Sequence, residues 1–355
     1  MRIASIIGTR PNLIKLNPIY HAINDIADHH IIHTGQHYDY QLSEIFFKEF
    51  DLPKADVNLG VGSGSPGFQA GEMIKKLEIY FLKKKFDLVI VYGDTSSTFA
   101  GAFSASRAGI SVAHLESGLR VFDRWMIEET NRILTDHLSD YLFTPTRTAL
   151  RNLKQENVRG EIVPTGDVSV EIIKNTLKES SKSSILEDLQ LEHKSYILLT
   201  LHRAENTSSK ERLISVIRAL EKIPWIKTVF PIHPRTKKML KETNLYDRLK
   251  KNKNIKILPP VGFIDFIKLM RSSQKIITDS GGIQKEAYLL RIPCITIRKN
   301  TEWIETVDSG WNILVDADVN RIVKGIKNWT PTERIKPIFG NGNTSKIIKN
   351  FISSL

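Results

Sequence analysis

Short apolar runs rich in β-branched residues recur along this chain with helix-length segments between them, and few folds accommodate such a pattern. In the first half the runs fall at residues 3–7, 30–33, 88–92, 112–115 and 141–143. Their apolarity is continuous rather than alternating, which marks strands covered on both faces, as in a parallel sheet. After the punctuation of Val163-Pro164-Thr165-Gly166-Asp167 a second set begins, at 197–201, 228–232, 255–258, 275–278 and 295–297. A chain of 355 residues also exceeds what one hydrophobic core usually organises. The pattern predicts an α/β protein of two Rossmann-like, doubly wound domains, 1–167 and 168–338, facing a central cleft. Within 339–355, Asn343 or Thr344 can cap a closing helix that runs through Phe351. In such sheets ligands bind beyond the carboxyl ends of the strands, and that rule ranks the motifs.

Composition removes several classes of function. At 41% hydrophobic and 25% charged residues the chain lacks the signature of disorder. No apolar run approaches the roughly 20 residues that cross a bilayer. The first residues pass straight into a functional-looking turn, leaving no room for a cleavable signal, so a cytoplasmic protein is expected. The single cysteine, Cys294, sits in an apolar run and reads as a small core residue; it excludes an intrachain disulfide and a cysteine zinc site. The net charge of +12 suits a phosphorylated substrate as well as nucleic acid. However, the lysine clusters at 83–85 and 250–253 lack the interleaved aromatics on which bases stack. Neither a nucleic-acid nor a membrane partner is expected.

The first strand ends in Gly8-Thr9-Arg10-Pro11-Asn12-Leu13-Ile14-Lys15. Gly8 permits a tight turn, Pro11 suits the first helical position, and Arg10 and Lys15 then flank a positive helix N-terminus, a natural diphosphate site. The counterpart in the second half is Thr278-Asp279-Ser280-Gly281-Gly282-Ile283-Gln284-Lys285-Glu286. Its bare backbone amides can approach a phosphate, and Glu286, one helical turn on, can accept from ribose hydroxyls; the plainer reading makes Asp279 and Ser280 simple caps. Between these turns lie the carboxylates. Asp94 and Glu116 each follow a strand, and Glu128 shares a helix face with Arg132. Carboxylates gathered on one rim can split their pKa values into an acid and a base. His202 and His233 each terminate a strand of the second set and suit an anionic ligand, His202 the better. No metal-binding, Gly-x-Ser-x-Gly or Gly-x-Gly-x-x-Gly motif appears, which disfavours metal, serine-hydrolase and NAD chemistry; no cofactor is expected.

Taken together, Gly8-Thr9-Arg10-Pro11 with Lys15, Gly93-Asp94-Thr95, the segment 114–120, Glu128-Glu129-Thr130-Asn131-Arg132, His202-Arg203 and Asp279-Ser280-Gly281-Gly282-Ile283-Gln284 resemble the non-hydrolysing UDP-N-acetylglucosamine 2-epimerases over nearly the whole chain. The resemblance implies a GT-B-like fold, a homodimer, and a C-terminal helix at 339–355 that packs back on the N-terminal domain. It implies a UDP-linked amino sugar as substrate, epimerised at carbon 2 through elimination and re-addition of UDP. By position it implies Asp94, Glu116, Glu128, Arg132 and His202 as catalytic. Arg10, Lys15, Ser280, Gly281, Gly282 and Glu286 match nucleotide and diphosphate contacts, with Phe266 near the base. Gln36 and His37 match part of the family's second, activating UDP-sugar site, and His233 is grouped with them. The chain departs from the commoner pattern at Asn12, for Glu; at Ile127, for Pro; and at Trp303, where many members have Arg. Trp303 and Gln284-Lys285-Glu286 look like relatives acting on UDP-2,3-diacetamido glucuronic acid, whereas Thr9 favours plain N-acetylglucosamine. A GT-B glycosyltransferase would share the fold and the nucleotide pocket.

Overall fold

The computed structural model describes residues 1–36, 47–62 and 64–355 and divides into two compact units. One unit is Met1–Ile172 with Pro337–Leu355; the other is Ile173–Lys336.

In the first unit, the described residues form seven strands: β1 (Arg2–Ile7), β2 (Asp28–His33), β3 (Val57–Asn58), β4 (Leu88–Tyr92), β5 (Ser111–Leu115), β6 (Tyr141–Thr144) and β7 (Glu161–Pro164). Their order is β3-β2-β1-β4-β5-β6-β7, and neighbours run parallel. All five expected runs are strands. The two that sequence patterning did not mark are the edges: β3 has two residues, and β7 is not buried on both faces, so neither shows a continuous apolar run. The central strand β4 is buried throughout.

Small side chains set the packing here. The helix Ser96–Arg107 carries Ala100, Gly101, Ala102, Ser104 and Ala105 on its buried side, and a methyl at Gly101 would lie 3.0 Å from Ile6. Ala4, Ile6, Val89 and Val91 of the sheet join Met73, Leu77, Ala102 and Ala105 in one core. Each larger aliphatic side chain buried there contributes roughly 1.5–3 kcal/mol.

The segment Pro337–Leu355 closes this same unit. Asp167 donates its backbone N–H to Phe339 O (2.9 Å), Thr344 Oγ1 donates to Thr165 O (3.1 Å), and Ser345 N donates to Glu171 Oε1 (2.8 Å). Helix Thr344–Ile352, with Asn343 at its cap position, places Phe351 edge-on to Tyr141 and Phe143.

In the second unit, β8 (Tyr196–Thr200), β9 (Lys227–Pro231), β10 (Ile255–Leu258), β11 (Lys275–Thr278), β12 (Cys294–Thr296) and β13 (Asn312–Leu314) form a parallel sheet in the order β10-β9-β8-β11-β12-β13. Its core gathers Ile197, Leu199, Phe230, Ile277 and Ile295 under Leu213, Leu240 and Ile322. Lys275 is an unexpected buried cation. Its Nζ donates to Gly325 O (2.9 Å), Ile326 O (2.7 Å) and Trp329 O, satisfying carbonyls at the end of helix Val319–Asn328.

Each strand order reverses direction once, between β1 and β4 in the first unit and between β8 and β11 in the second. The crevice beyond the carboxyl ends of such strands is where doubly wound sheets bind ligands. Gly8 and Gly93 stand there in one unit, Leu201 and Asp279 in the other.

Candidate active site

β1 ends at Ile7, and Gly8 has to be glycine: a methyl there would meet Ser97 Oγ at 1.9 Å and Thr34 Oγ1 at 2.3 Å. The following helix begins at Arg10, so Pro11 is its second residue rather than its first. Asn12, 1% exposed, fixes this turn. Its Oδ1 accepts from Gly8 N (3.2 Å), Thr9 N (3.1 Å) and Thr9 Oγ1 (2.8 Å), while its Nδ2 donates to Tyr92 O (2.8 Å) at the end of β4. A carboxylate at position 12 would accept as well but could not donate, so the amide suits this site. Arg10 is exposed, and Lys15 points from the same helix to an ion pair with Glu116.

Gly93 N–H donates to Leu115 O (3.0 Å), so Asp94 and Glu116 leave the sheet side by side. Gly93 has φ +69°, and a methyl there would lie 2.7 Å from Lys15 Nζ and 3.3 Å from Glu116 Oε2. Glu116 itself sits at φ +72°, a left-handed conformation that costs a non-glycine residue about 1–3 kcal/mol and that clusters at functional sites. Asp94 forms an ion pair with Arg132 Nη2, and its carbonyl accepts from Asn131 Nδ2 (3.0 Å). Both partners come from helix Ile127–Leu138, whose first turn carries Glu128 and Glu129 at its positive end. Glu129 is buried; it pairs with Arg132 Nη1 (2.9 Å) and accepts from Val121 N (3.0 Å) and Phe122 N (2.7 Å), pinning the exposed loop before the helix.

Thus Lys15, Asp94, Glu116 and Arg132 come together at the strand ends, with Glu128 on the helix that holds Asp94. Gln36 is tied to the same edge, its Oε1 accepting from Ser97 N (3.1 Å) and Ser97 Oγ (2.6 Å). His37 lies outside the described residues.

In the second unit, Asp279 follows β11 directly and is fully buried. It accepts from His202 N (3.1 Å), Arg203 N (3.0 Å) and Asn206 Nδ2 (3.1 Å), and His202 Nδ1 lies 3.4 Å from it. It is therefore a latch between the loop after β8 and the turn after β11, more than a simple cap. Ser280 stands at the N-cap of helix Gly281–Leu289, with Gly282 exposed and Glu286 half-buried on that helix. Gly281 allows the carboxylate of Glu302 to approach: a methyl would be 1.9 Å from Glu302 Oε1. Glu302 in turn receives Arg298 Nη1 (2.7 Å), and Arg203 Nη2 lies 3.6 Å away, which sets cations around the helix start. The rings of His202 and His233 are 5.9 Å apart, and His233 Nδ1 accepts from Arg235 N (3.2 Å). Phe266 lies on helix Phe263–Ser272 after the edge strand β10, separated from β11 by β9 and β8. Trp303 is buried, with Lys285 Nζ 4.4 Å from its ring centroid. Cys294 is core, and burial pushes its thiol up to about 12.

Among the described residues, no group of three or more His, Cys, Asp or Glu side chains could hold a metal ion, and no helix is long and apolar enough to cross a membrane. Sequence reasoning missed the contacts of Asn12, Glu129, Arg203 and Glu302, buried or half-buried groups packed against the candidates. Two parallel α/β units, one gathering carboxylates and cations at its switch point and the other a Gly-Gly helix start, define a GT-B-like enzyme. The family model described as UDP-N-acetylglucosamine 2-epimerase matches residues 21–353, and the chain belongs to that family of isomerases. It is 49% identical to a UDP-N-acetylglucosamine 2-epimerase homolog of Methanococcus maripaludis over the full length of both. It is similar to the structure of Methanocaldococcus jannaschii UDP-GlcNAc 2-epimerase in complex with UDP-GlcNAc and UDP, with a TM-score of 0.95, 44% identity and 100% of each chain covered. A third relative, at 39% identity over 100% of each, is the UDP-2,3-diacetamido-2,3-dideoxy-D-glucuronate 2-epimerase of Pseudomonas aeruginosa.

Proposed function

We propose that this chain interconverts UDP-N-acetylglucosamine and UDP-N-acetylmannosamine. The reaction removes the proton from carbon 2 and UDP from carbon 1, forming the 2-acetamidoglucal double bond. UDP then re-adds at carbon 1 with a proton delivered to the opposite face of carbon 2. The observation that carries this reading is the pairing of Glu116 with Lys15 over the bare Cα of Gly93, together with the pairing of the next residue, Asp94, with Arg132. Two carboxylates, each held by a cation, supply the groups needed to take a proton and return one, and Glu128 stands in the first turn of the adjoining helix. The leaving diphosphate gathers negative charge as the bond to carbon 1 breaks. In the second unit, the Ser280-Gly281-Gly282 helix start with His202 is suited to stabilise it; in the first unit, Arg10 and Lys15 flank a helix start that by itself suits an anion. Glu286 and Phe266 take the ribose and base in this reading. The test is incubation with UDP-N-acetylglucosamine in deuterated water followed by NMR. Appearance of the carbon-2 epimer carrying deuterium supports it, and epimer without solvent deuterium overturns the proton exchange.

A second reading is favoured by Trp303, which packs under Lys285 where many family members have Arg. It assigns the diacetamido glucuronic acid substrate of the Pseudomonas relative. Parallel assays on both nucleotide sugars decide, the larger kcat/KM naming the substrate. A homodimer and a cytoplasmic location belong to the same proposal, and light scattering of the purified chain tests the former. A regulatory role for Gln36 and His233 would have to share those residues with the contacts to Ser97 and Arg235.

A further inference from the structure

We propose that Asp136, a residue that reaches no solvent, is the positioning residue for both catalytic carboxylates. It holds the backbone ahead of Asp94 through His114, and the turn after Glu116 directly. The inference rests on the epimerase reading and adds to it the part that sets the carboxylates in place.

The contacts form one chain. Asp136 Oδ1 meets His114 Nδ1 at 2.7 Å, and His114 Nε2 meets Gly93 O at 2.7 Å. A carbonyl oxygen only accepts, and so does a carboxylate, so both ring nitrogens donate. Asp136 Oδ2 accepts from Gly118 N (3.1 Å) and from Arg120 Nη1 (2.7 Å). Arg120 is anchored in turn by Glu156 (2.5 Å). Burial alone would raise the Asp136 carboxyl, but His114 and Arg120 outweigh it, and the group is held below the usual carboxylate range.

The sheet still holds the Gly93 N–H through Leu115 O, but the Gly93 carbonyl and the Gly118 N–H find their partners beyond the ladder. Gly93 (φ +69°), Glu116 (φ +72°) and Gly118 (φ +81°) are all left-handed, one residue before Asp94, at Glu116 itself, and two residues after it. Backbone in that conformation leaves the strand ladder, and its polar groups need other partners. Asp136 accepts from the Gly118 N–H directly and holds the His114 ring that donates to Gly93 O. Both of its oxygens are engaged inside the unit, and neither reaches the rim, so its role is to orient rather than to react. A displacement of about 1 Å at reacting groups can cost on the order of 10²-fold in rate.

The test compares the full-length wild type with Asp136→Asn, His114→Gln and the double variant, measuring kcat, KM, UDP affinity by calorimetry and melting temperature. Asp136→Asn is expected to lower kcat about 100-fold while KM and UDP affinity stay within about 3-fold. His114→Gln should lower kcat in the same way. The double variant should fall no further than the worse single one, because the residues act as a unit. The proposal is overturned by a folded Asp136→Asn with kcat within about 3-fold of wild type, or by losses that multiply in the double variant. A drop in kcat matched by an equal loss of UDP affinity also overturns it. If Asp136→Asn does not fold, His114→Gln carries the same test, since its amide keeps a donor. A wild type that turns over neither candidate sugar overturns the epimerase reading itself, which shows before any variant is compared.

Discussion

The ammonium of Lys15 pairs with the carboxylate of Glu116, 101 residues further along the chain, over the bare Cα of Gly93. Gly93 is thus constrained twice, by its left-handed φ and by the ion pair against it. Gly93→Ala should destabilise the first unit by about 1–3 kcal/mol through backbone strain and lower turnover by about 100-fold by displacing the pair. Thermal melting and kcat together check this. Unchanged activity with a lowered melting temperature would mean that the ion pair does not need its present place.

Asp94→Asn and Glu116→Gln keep shape and remove the proton-exchanging group. Each should reduce turnover by about 10²–10⁴-fold and leave UDP binding nearly intact. Arg10→Ala should do the reverse, weakening UDP binding. Calorimetric titration with UDP beside a coupled assay separates the two patterns.

These variants rest on residues that the sequence exposed well. Strands buried on both faces write continuous apolar runs, and a carboxylate directly after such a run, as at Asp94 and Glu116, is placed at a rim by the rule of parallel sheets alone. The edge strands β3 and β7 have no such signal because solvent covers part of them. The orienting residues were illegible for another reason. Asp136 acts on His114, Gly118 and Arg120 in the strand and turn that precede its helix. Asn12 adds a bond to Tyr92 O, 80 residues on, to its local ones, and Glu302 approaches through a glycine that merely makes room; spacing alone does not record these roles. The position of Asp279 after β11 fits the plainer reading as a cap; its grip on His202, Arg203 and Asn206 crosses more than 70 residues.

That grip gives a stability prediction. Asp279→Ala removes the acceptor of the part-buried His202 and Arg203 N–H groups and leaves Asn206 Nδ2 only Ile297 O, at a cost of up to about 1–3 kcal/mol for each N–H left without a partner. The urea midpoint of the second unit should fall, and UDP affinity with it, as the His202 loop is released. Asp279→Asn, which keeps one acceptor, should lie between Ala and wild type.

A pH dependence follows from His29. Burial, opposed by Asp56, pushes its pKa down from 6.5 to about 4. Its Nε2 shares a hydrogen bond with Ser5 Oγ (2.8 Å), which also meets Tyr92 OH (2.6 Å). Between those pH values the unfolded chain binds a proton that the folded chain does not. Stability is therefore fully present above about pH 6.5 and is lost as pH falls toward 4, by on the order of 3 kcal/mol. Urea melts across that range should show the slope, and His29→Gln should flatten it.

The return of Pro337–Leu355 to the first unit has a consequence for how the protein is made. During synthesis the first sheet leaves the ribosome long before the helix Thr344–Ile352 that packs Phe351 against Tyr141 and Phe143. Contacts such as Lys349 with Asp25 span 324 residues of chain. The N-terminal unit is therefore the first to begin folding and the last to finish, its closing surface waiting bare while the whole of the second unit is translated.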